Sequence, residues 1–170
     1  SDGSWRVRLD RLGDNGQANF SASGVLLDIT ATNATIGGAD NITSGAGNDL
    51  IIAGTGNDAV TSGAGNDLIF GDHGHVTGII DLTLLPLNTY TPAFTFTSIA
   101  TQNSDLGGND LINAGAGDDI VIGGQGFDRI LGGSGDDDLI GGHNVANGQD
   151  SGDWIDGGSG NDYIAGDNAY

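Results

Sequence analysis

The chain has 170 residues, 33 of them Gly, and a formal net charge of −19 from 23 acidic residues against four cations. Every acidic residue is Asp, and Glu, Lys, Cys and Met are absent. This balance excludes a nucleic-acid-binding face, which needs basic residues, electrostatic docking on an anionic bilayer, and disulfides or thiolate metal sites. Apolar runs as short as Ile79-Ile80 and Leu84-Leu85 leave no membrane span. Gly without a three-residue period excludes a collagen-like helix. An acidic chain that uses Asp and never Glu is built for turns rather than helices. No basic, apolar leader opens the sequence at Ser1-Asp2-Gly3, so a cleavable signal is not expected.

Trp5-Arg6-Val7-Arg8-Leu9 alternates and predicts a strand with Trp5, Val7 and Leu9 on one face, finishing a preceding unit. Arg6, Arg8 and Arg11 read as a solvated face or as partners of nearby Asp. Gly13-Asp14-Asn15-Gly16 then heads a β-rich excursion over 17–34 that contains Val25-Leu26-Leu27.

A nine-residue beat begins at Thr35 with a degenerate unit, TIGGADNIT, and continues as SGAGNDLII, AGTGNDAVT and SGAGNDLIF. Its sixth positions are Asp40, Asp49, Asp58 and Asp67, and its eighth are Ile42, Ile51, Val60 and Ile69. Gly71-Asp72-His73-Gly74 heads a second excursion over 75–104. Extended stretches at 79–85 and 94–99 flank a turn at 86–92, which predicts a β-hairpin. Two roles stay open for it: an accessory core on the side of the repeats, or a binding loop using Tyr90, Phe94 and Phe96. His73-Gly74-His75 beside Asp72 reads as a solvent-facing turn rather than a transition-metal site.

The beat restarts as DLGGNDLIN, AGAGDDIVI, GGQGFDRIL and GGSGDDDLI, giving Asp110, Asp119, Asp128 and Asp137 with Ile112, Val121, Ile130 and Leu139. Seven extra residues around His143 to Gln149 follow, either a bulge from one roll or a separator of two. The pattern resumes at Asp153 with Ile155 and at Asp162 with Ile164, and Gly166-Asp167-Asn168 starts a third copy of the Gly-Asp motif. The division read from this is an N-terminal segment with the first excursion over 1–34, a repeat block over 35–72, an insertion over 73–104, and a second block over 105–170 interrupted near 141–149. The whole resembles two units cut from a longer array.

The beat has a physical reading. Gly at positions 1, 2 and 4 permits backbone angles closed to other residues, so six residues make a tight turn. Three remain for a short strand, in which only the eighth-position aliphatic points inward and its neighbours point out. Two nonapeptides make one eighteen-residue coil, and coils stack as parallel strands into a right-handed β-roll. Burying one aliphatic is worth roughly 1.5–3 kcal/mol, while ordering nine backbone residues costs roughly 9–18 kcal/mol. A further source of stability is therefore required.

These units resemble the GGxGxDxUx nonapeptide of the repeats-in-toxin (RTX) family of hemolysin-type calcium-binding repeats. The resemblance implies a parallel β-roll with several calcium ions, at least about four, between turns of adjacent coils. Carried over residue by residue, the ligands are Asp40, Asp49, Asp58, Asp67, Asp110, Asp119, Asp128, Asp137, Asp153 and Asp162. Backbone carbonyls join them from Gly45, Gly47, Gly54, Gly56, Gly63, Gly65, Gly115, Gly117, Gly124, Gly126, Gly133, Gly135, Gly158 and Gly160. In the family the Asp of one repeat pairs with the Asp two repeats on: Asp40 with Asp58, Asp49 with Asp67, Asp110 with Asp128, and Asp119 with Asp137. Asp137, Asp153 and Asp162 add partial sites at the block edges. Asn48, Asn57, Asn66 and Asn161 at position 5 read as turn formers.

No residue set points to catalysis. HExxH is impossible without Glu, no GxSxG occurs, and the Asp are committed to turns. Some members of the family cleave themselves at Asp-Pro bonds, but here Pro86 follows Leu85 and Pro92 follows Thr91. The resemblance implies a non-enzymatic, monomeric segment of a large secreted or cell-surface bacterial protein. Such a protein would leave by type I secretion, on a signal beyond Tyr170, and fold on external calcium as a scaffold. The alternative is an adhesin or surface-layer recognition module whose insertions bind a partner or glycan.

Overall fold

A computed structural model describes residues 6–9, 17–20, 26–30, 33–80 and 95–169. Among them there are fifteen strands and no helix, as a chain of Gly, Asp and Asn turns demands. Strands β1 (Arg6–Leu9), β2 (Gln17–Phe20) and β3 (Leu26–Thr30) precede the repeats. Strands β4 (Asn41–Ala46), β5 (Asp49–Ile52), β6 (Ala59–Ala64) and β7 (Leu68–Phe70) form the first block. The excursion supplies β8 (Gly74–Ile80) and β9 (Thr95–Thr101). The second block is β10 (Leu111–Ala116), β11 (Ile120–Ile122), β12 (Arg129–Ser134), β13 (Asp138–Ile140), β14 (Trp154–Ser159) and β15 (Tyr163–Ala165).

Alternate nonapeptides fall into two parallel sheets. One, the open sheet, has the order β4-β6-β10-β12-β14; the other, the covered sheet, runs β1-β5-β7-β11-β13-β15. Together they make a β-roll of about five coils. Val60 stands opposite Ile112 and Ile69 opposite Val121, so the two blocks stack directly although an excursion separates them in sequence. Ile130 likewise stands opposite Ile155, and Leu139 opposite Ile164, across the seven-residue interruption. That interruption is a bulge from one continuous roll. Strand β1 adds to the covered sheet beside β5, with Arg6 in register with Asp49.

The inward row is the one the repeat predicts: Ile51, Val60, Ile69, Ile112, Val121, Ile130 and Leu139 are buried together, with Ala53 and Ala114 beside them. A second core lies outside the covered sheet. The neighbours of the inward residues, Leu50, Ile52, Leu68, Phe70 and Ile122, are buried against Ile29, Val76 and Ile99. Ile29 belongs to β3, Val76 to β8 and Ile99 to β9, in the antiparallel sheet β2-β3-β8-β9. The expectation of one buried aliphatic per nonapeptide therefore fails at β5, β7 and β11 of the covered sheet. In the covered sheet, units such as DLII and LIF bury their strand residues on both faces.

The described strands of the excursion, β8 and β9, thus pack along the roll as an accessory layer. Its chain passes Phe70 at Gly74, where a β-carbon would lie 2.6 Å from the ring. Asn144, in the bulge, fastens it further by donating to the Ile99 carbonyl and accepting from the Thr101 N–H, both at 2.7 Å. The turn at 86–92, with Tyr90, lies outside the described residues, as do Trp5, Arg11 and Phe94. The His73 expectation fails. His73 is only 1% exposed, and its Nε2 sits 2.8 Å from Thr55 Oγ1, because the split turn stacks it on the coil below instead of in solvent.

Candidate metal centre

Two columns of turns flank the roll. One returns the chain from the open to the covered sheet through turns at 47–48, 65–67, 117–119, 135–137 and 160–162, and is unbroken. These are shorter than the six residues expected, because the open-sheet strands pair on through the second-position glycine, as Gly45 does with Gly63. The other runs through 53–58 and 123–128, but its turns at 71–110 and 141–153 are split by inserted chain. All fourteen glycines named from the repeat have positive φ, between 92° and 143°. In this region a side chain is strained, and the coil spacing adds a second demand. A β-carbon on Gly133 would collide with the Gly115 carbonyl oxygen in the coil beneath.

The ten sequence-named Asp stand in the same two columns. On the unbroken edge the backbone N–H of Asp49, Asp67, Asp119 and Asp137 donates to Oδ1 of Asp67, Asp119, Asp137 and Asp162, at 2.7, 2.8, 2.9 and 3.1 Å. On the split edge Asp40, Asp58, Asp110 and Asp128 donate to Asp58, Asp110, Asp128 and Asp153, at 2.7 to 2.8 Å. The four pairings implied by the resemblance are all adjacent, and four more bridge the insertions and block edges.

In eight of the ten Asp one carboxylate oxygen is used this way. The other, Oδ2, is buried without a hydrogen-bond partner in Asp67, Asp110, Asp119, Asp128, Asp137 and Asp153. Asp49, at the column's first coil, is fully buried with neither oxygen bonded. Buried unpaired carboxylate oxygens are costly, and these face backbone. A β-carbon on Gly123 would meet Asp128 Oδ2 and the Gly141 carbonyl oxygen, and one on Gly132 would meet Asp137 Oδ2 and the Gly157 carbonyl. These two first-position glycines thus mark spots where a carboxylate and a carbonyl oxygen from the neighbouring coil converge. Position 5 carries a separate, exposed ladder, in which Asn48 accepts from Asn66 N–H and Asn57 from Asn109 N–H at 2.9 Å. That is why Asn recurs there.

Electrostatics separate the edges. Burial, then the charge of neighbouring Asp, pushes Asp67 up to about 6 and Asp119 to about 7 on the unbroken edge, against backbone N–H donors that lower both. On the split edge burial raises Asp128 and Asp153 to about 7 and Asp110 to about 8. Among the described residues no three His or Asp side chains converge on one point. Any cation held here is therefore shared between carboxylates and carbonyls. The all-oxygen donor set suits a hard cation, which takes 6–8 oxygens from both groups.

Two carboxylates in these columns were not among the sequence-named set. Asp72 is 2% exposed at the first split, and Asp150 accepts from Gly126 N–H at 3.2 Å at the second. The Gly-Asp motif pointed to Asp72 without saying why. Asp150 lies in irregular sequence, where no spacing singles it out. The first-position carbonyls were also missed, although repeated Gly-Gly pairs carry that signal.

Fold and site define a repeat protein whose coils are joined through oxygen-lined turns. The RTX calcium-binding nonapeptide repeat matches in four copies, at residues 35–74, 104–130, 115–143 and 140–169. The chain belongs to that family. No curated protein and no solved structure gives a significant match. Among the described residues no helix is long and apolar enough to cross a membrane.

Proposed function

We propose that this chain is a calcium-dependent structural module whose ten column Asp and fourteen turn glycines hold several calcium ions, at least about four, between coils. The observation that carries this is the pair of buried carboxylate columns, in which unbonded Oδ2 atoms recur from coil to coil. Calcium supplies a hard positive charge that binds carboxylate and carbonyl oxygens together. The chain's own residues do the rest. In eight of the ten Asp, Oδ1 fixes the carboxylate to the N–H of the coil before it, which leaves Oδ2 aimed at the turn. The positive-φ glycines keep the turn narrow enough for carbonyls of adjacent coils to approach.

The setting for such a module is outside the cell. Extracellular calcium modules bind at about 10⁻⁴–10⁻³ M, so the sites fill there and stay empty in a cytosol. Ions that bind only the folded chain stabilise it by RT ln(1 + [L]/Kd) per site, and four of them set eight positive charges against −19. The reading extends to a secreted or cell-surface protein exported by type I machinery, with the chain acting as a monomeric, non-catalytic scaffold of two repeat blocks. RTX repeats are typically structural rather than catalytic, which supports this. Calorimetric titration of the chelator-stripped chain tests it. At least about four calcium ions per chain are expected, and an absence of binding would refute the proposal.

A further inference from the structure

The Gly-Asp motif that heads each excursion has no role in the nine-residue repeat, where its second position is normally Gly. In the copy at Gly71-Asp72-His73-Gly74, Asp72 occupies the gap that the excursion opens. Its Oδ1 accepts from Gly108 N–H at 3.0 Å, on the far side of the excursion. Its Oδ2 accepts from Gln125 N–H at 2.5 Å, in the next coil. One carboxylate therefore joins the two ends of the split turn to each other and to the coil above. The flanking glycines leave it room, since a β-carbon on Gly107 or on Gly124 would displace this carboxylate.

Hydrogen bonds alone leave the charge unanswered. Asp72 is 2% exposed, Asp110 3% and Asp128 0%, and the charges of Asp110 and Asp128 both bear on Asp72. Asp110 Oδ2 has no hydrogen-bond partner and lies against Gly71, the residue before Asp72, where the Gly123 carbonyl oxygen also points. Each Asp72 oxygen has used one lone pair on an N–H and retains another. A carboxylate oxygen without a partner, a carbonyl oxygen and a second buried carboxylate thus meet at the split.

We propose that Asp72 is a cation ligand outside the nonapeptide pattern: with Asp110 and the Gly123 carbonyl it holds a divalent cation that clamps both ends of the excursion to the roll. This rests on the calcium reading above and adds a ligand that the repeat does not supply. It also gives the motif a function, because the Asp at its second position marks where chain leaves the roll and binds the ion that closes the exit.

The test compares the wild-type chain with Asp72→Asn, an isosteric change that removes charge and keeps an acceptor oxygen, by calorimetric calcium titration and amide hydrogen exchange. The expected result is one fewer ion, or one class at least tenfold weaker, together with faster exchange of the Gly108 and Gln125 amides at saturating calcium. If Asp72 only stitches the backbone, the substitution relieves a buried like charge. The calcium-free chain then becomes more stable, ion count and affinity stay unchanged, and the proposal falls while calcium binding itself stands. A wild-type chain that binds no calcium overturns both readings. Should Asp72→Asn not fold, carboxylate ¹³C NMR of the wild-type chain decides. The Asp72 signal is expected to move with calcium, also in Asp119→Asn on the unbroken edge, and a signal that stays fixed through the titration overturns the assignment.

Discussion

The two edges of the roll are built from the same repeat, yet only one of them tolerates insertions. On the unbroken edge the Asp ladder steps by eighteen residues where the chain is regular, as from Asp49 to Asp67. On the split edge the Asp110 to Asp128 step is also eighteen, and across the bulge both edges step by twenty-five, from Asp128 to Asp153 and from Asp137 to Asp162. Both edges keep the same N–H to Oδ1 hydrogen bond throughout, so coil stacking is set by the ladder and not by chain continuity. The difference lies in what the split edge adds. Asp72 and Asp150 bridge the gaps that inserted chain opens, by accepting from backbone N–H groups of Gly108, Gln125 and Gly126. The edge carries more buried charge as a result.

The two sheets differ in a parallel way. From β5 through β11 the covered sheet has an apolar core on each face, whereas the open sheet shows Leu111, Arg129 and Trp154 to solvent, with Arg129 stacked 4.6 Å above the Trp154 ring. The largest effect should come from the doubly buried layer. Phe70→Ala is expected to destabilise the calcium-loaded chain by about 3–5 kcal/mol, as large-to-small changes in a core do, measured by urea denaturation. Gly133→Ala should follow, at about 1–3 kcal/mol for backbone strain, with added cost from the Gly115 carbonyl beneath it. Leu111→Ala on the open sheet should stay within about 0.5 kcal/mol. Equal losses at Phe70 and Leu111 would erase the distinction between the sheets.

Proton dependence sharpens the comparison of edges. The folded, calcium-free chain holds Asp67, Asp119, Asp128 and Asp110 raised to about 6, 7, 7 and 8, above an ordinary value of 3.8. A carboxyl with a raised folded-state value binds its proton more tightly when folded. The resulting stability is present below about pH 4 and is lost as pH rises through 6 to 8. The chelated chain should therefore hold more β-structure at pH 5 than at pH 8, measured by far-UV circular dichroism. Calcium competes with the same protons, so its apparent affinity should rise over that interval. A chelated chain that gains stability toward pH 8 would contradict the buried-column geometry.

Much of this was legible in the sequence, because a nine-residue period fixes both the turn and the inward residue. Asp at every sixth position places carboxylates one coil apart, and Ile51, Val60, Ile69 and Ile112 mark the inner row without any long-range information. What the period cannot carry is how the chain behaves when it stops. Nothing in residues 71–110 says that Val60 will meet Ile112, since that pairing depends on an excursion returning to its point of departure. The second core was encoded less openly. Leu50-Ile51-Ile52, Leu68-Ile69-Phe70 and Ile120-Val121-Ile122 differ from Ala59-Val60-Thr61 and Leu111-Ile112-Asn113 in their outward residues, a contrast masked by treating each nonapeptide as equivalent. His73 misleads for a related reason, because a Gly-flanked His looks exposed until the coil beneath it is known.

The most direct test of the central claim is a calcium titration of the chelator-stripped chain at pH 7.5, followed by far-UV circular dichroism and Trp fluorescence. If the Asp columns need a cation to stack, the stripped chain will be largely unfolded. It will then gain β-structure cooperatively between about 10⁻⁴ and 10⁻³ M calcium. A stripped chain that already shows the full β-signal, and does not change as calcium is added, would contradict the account.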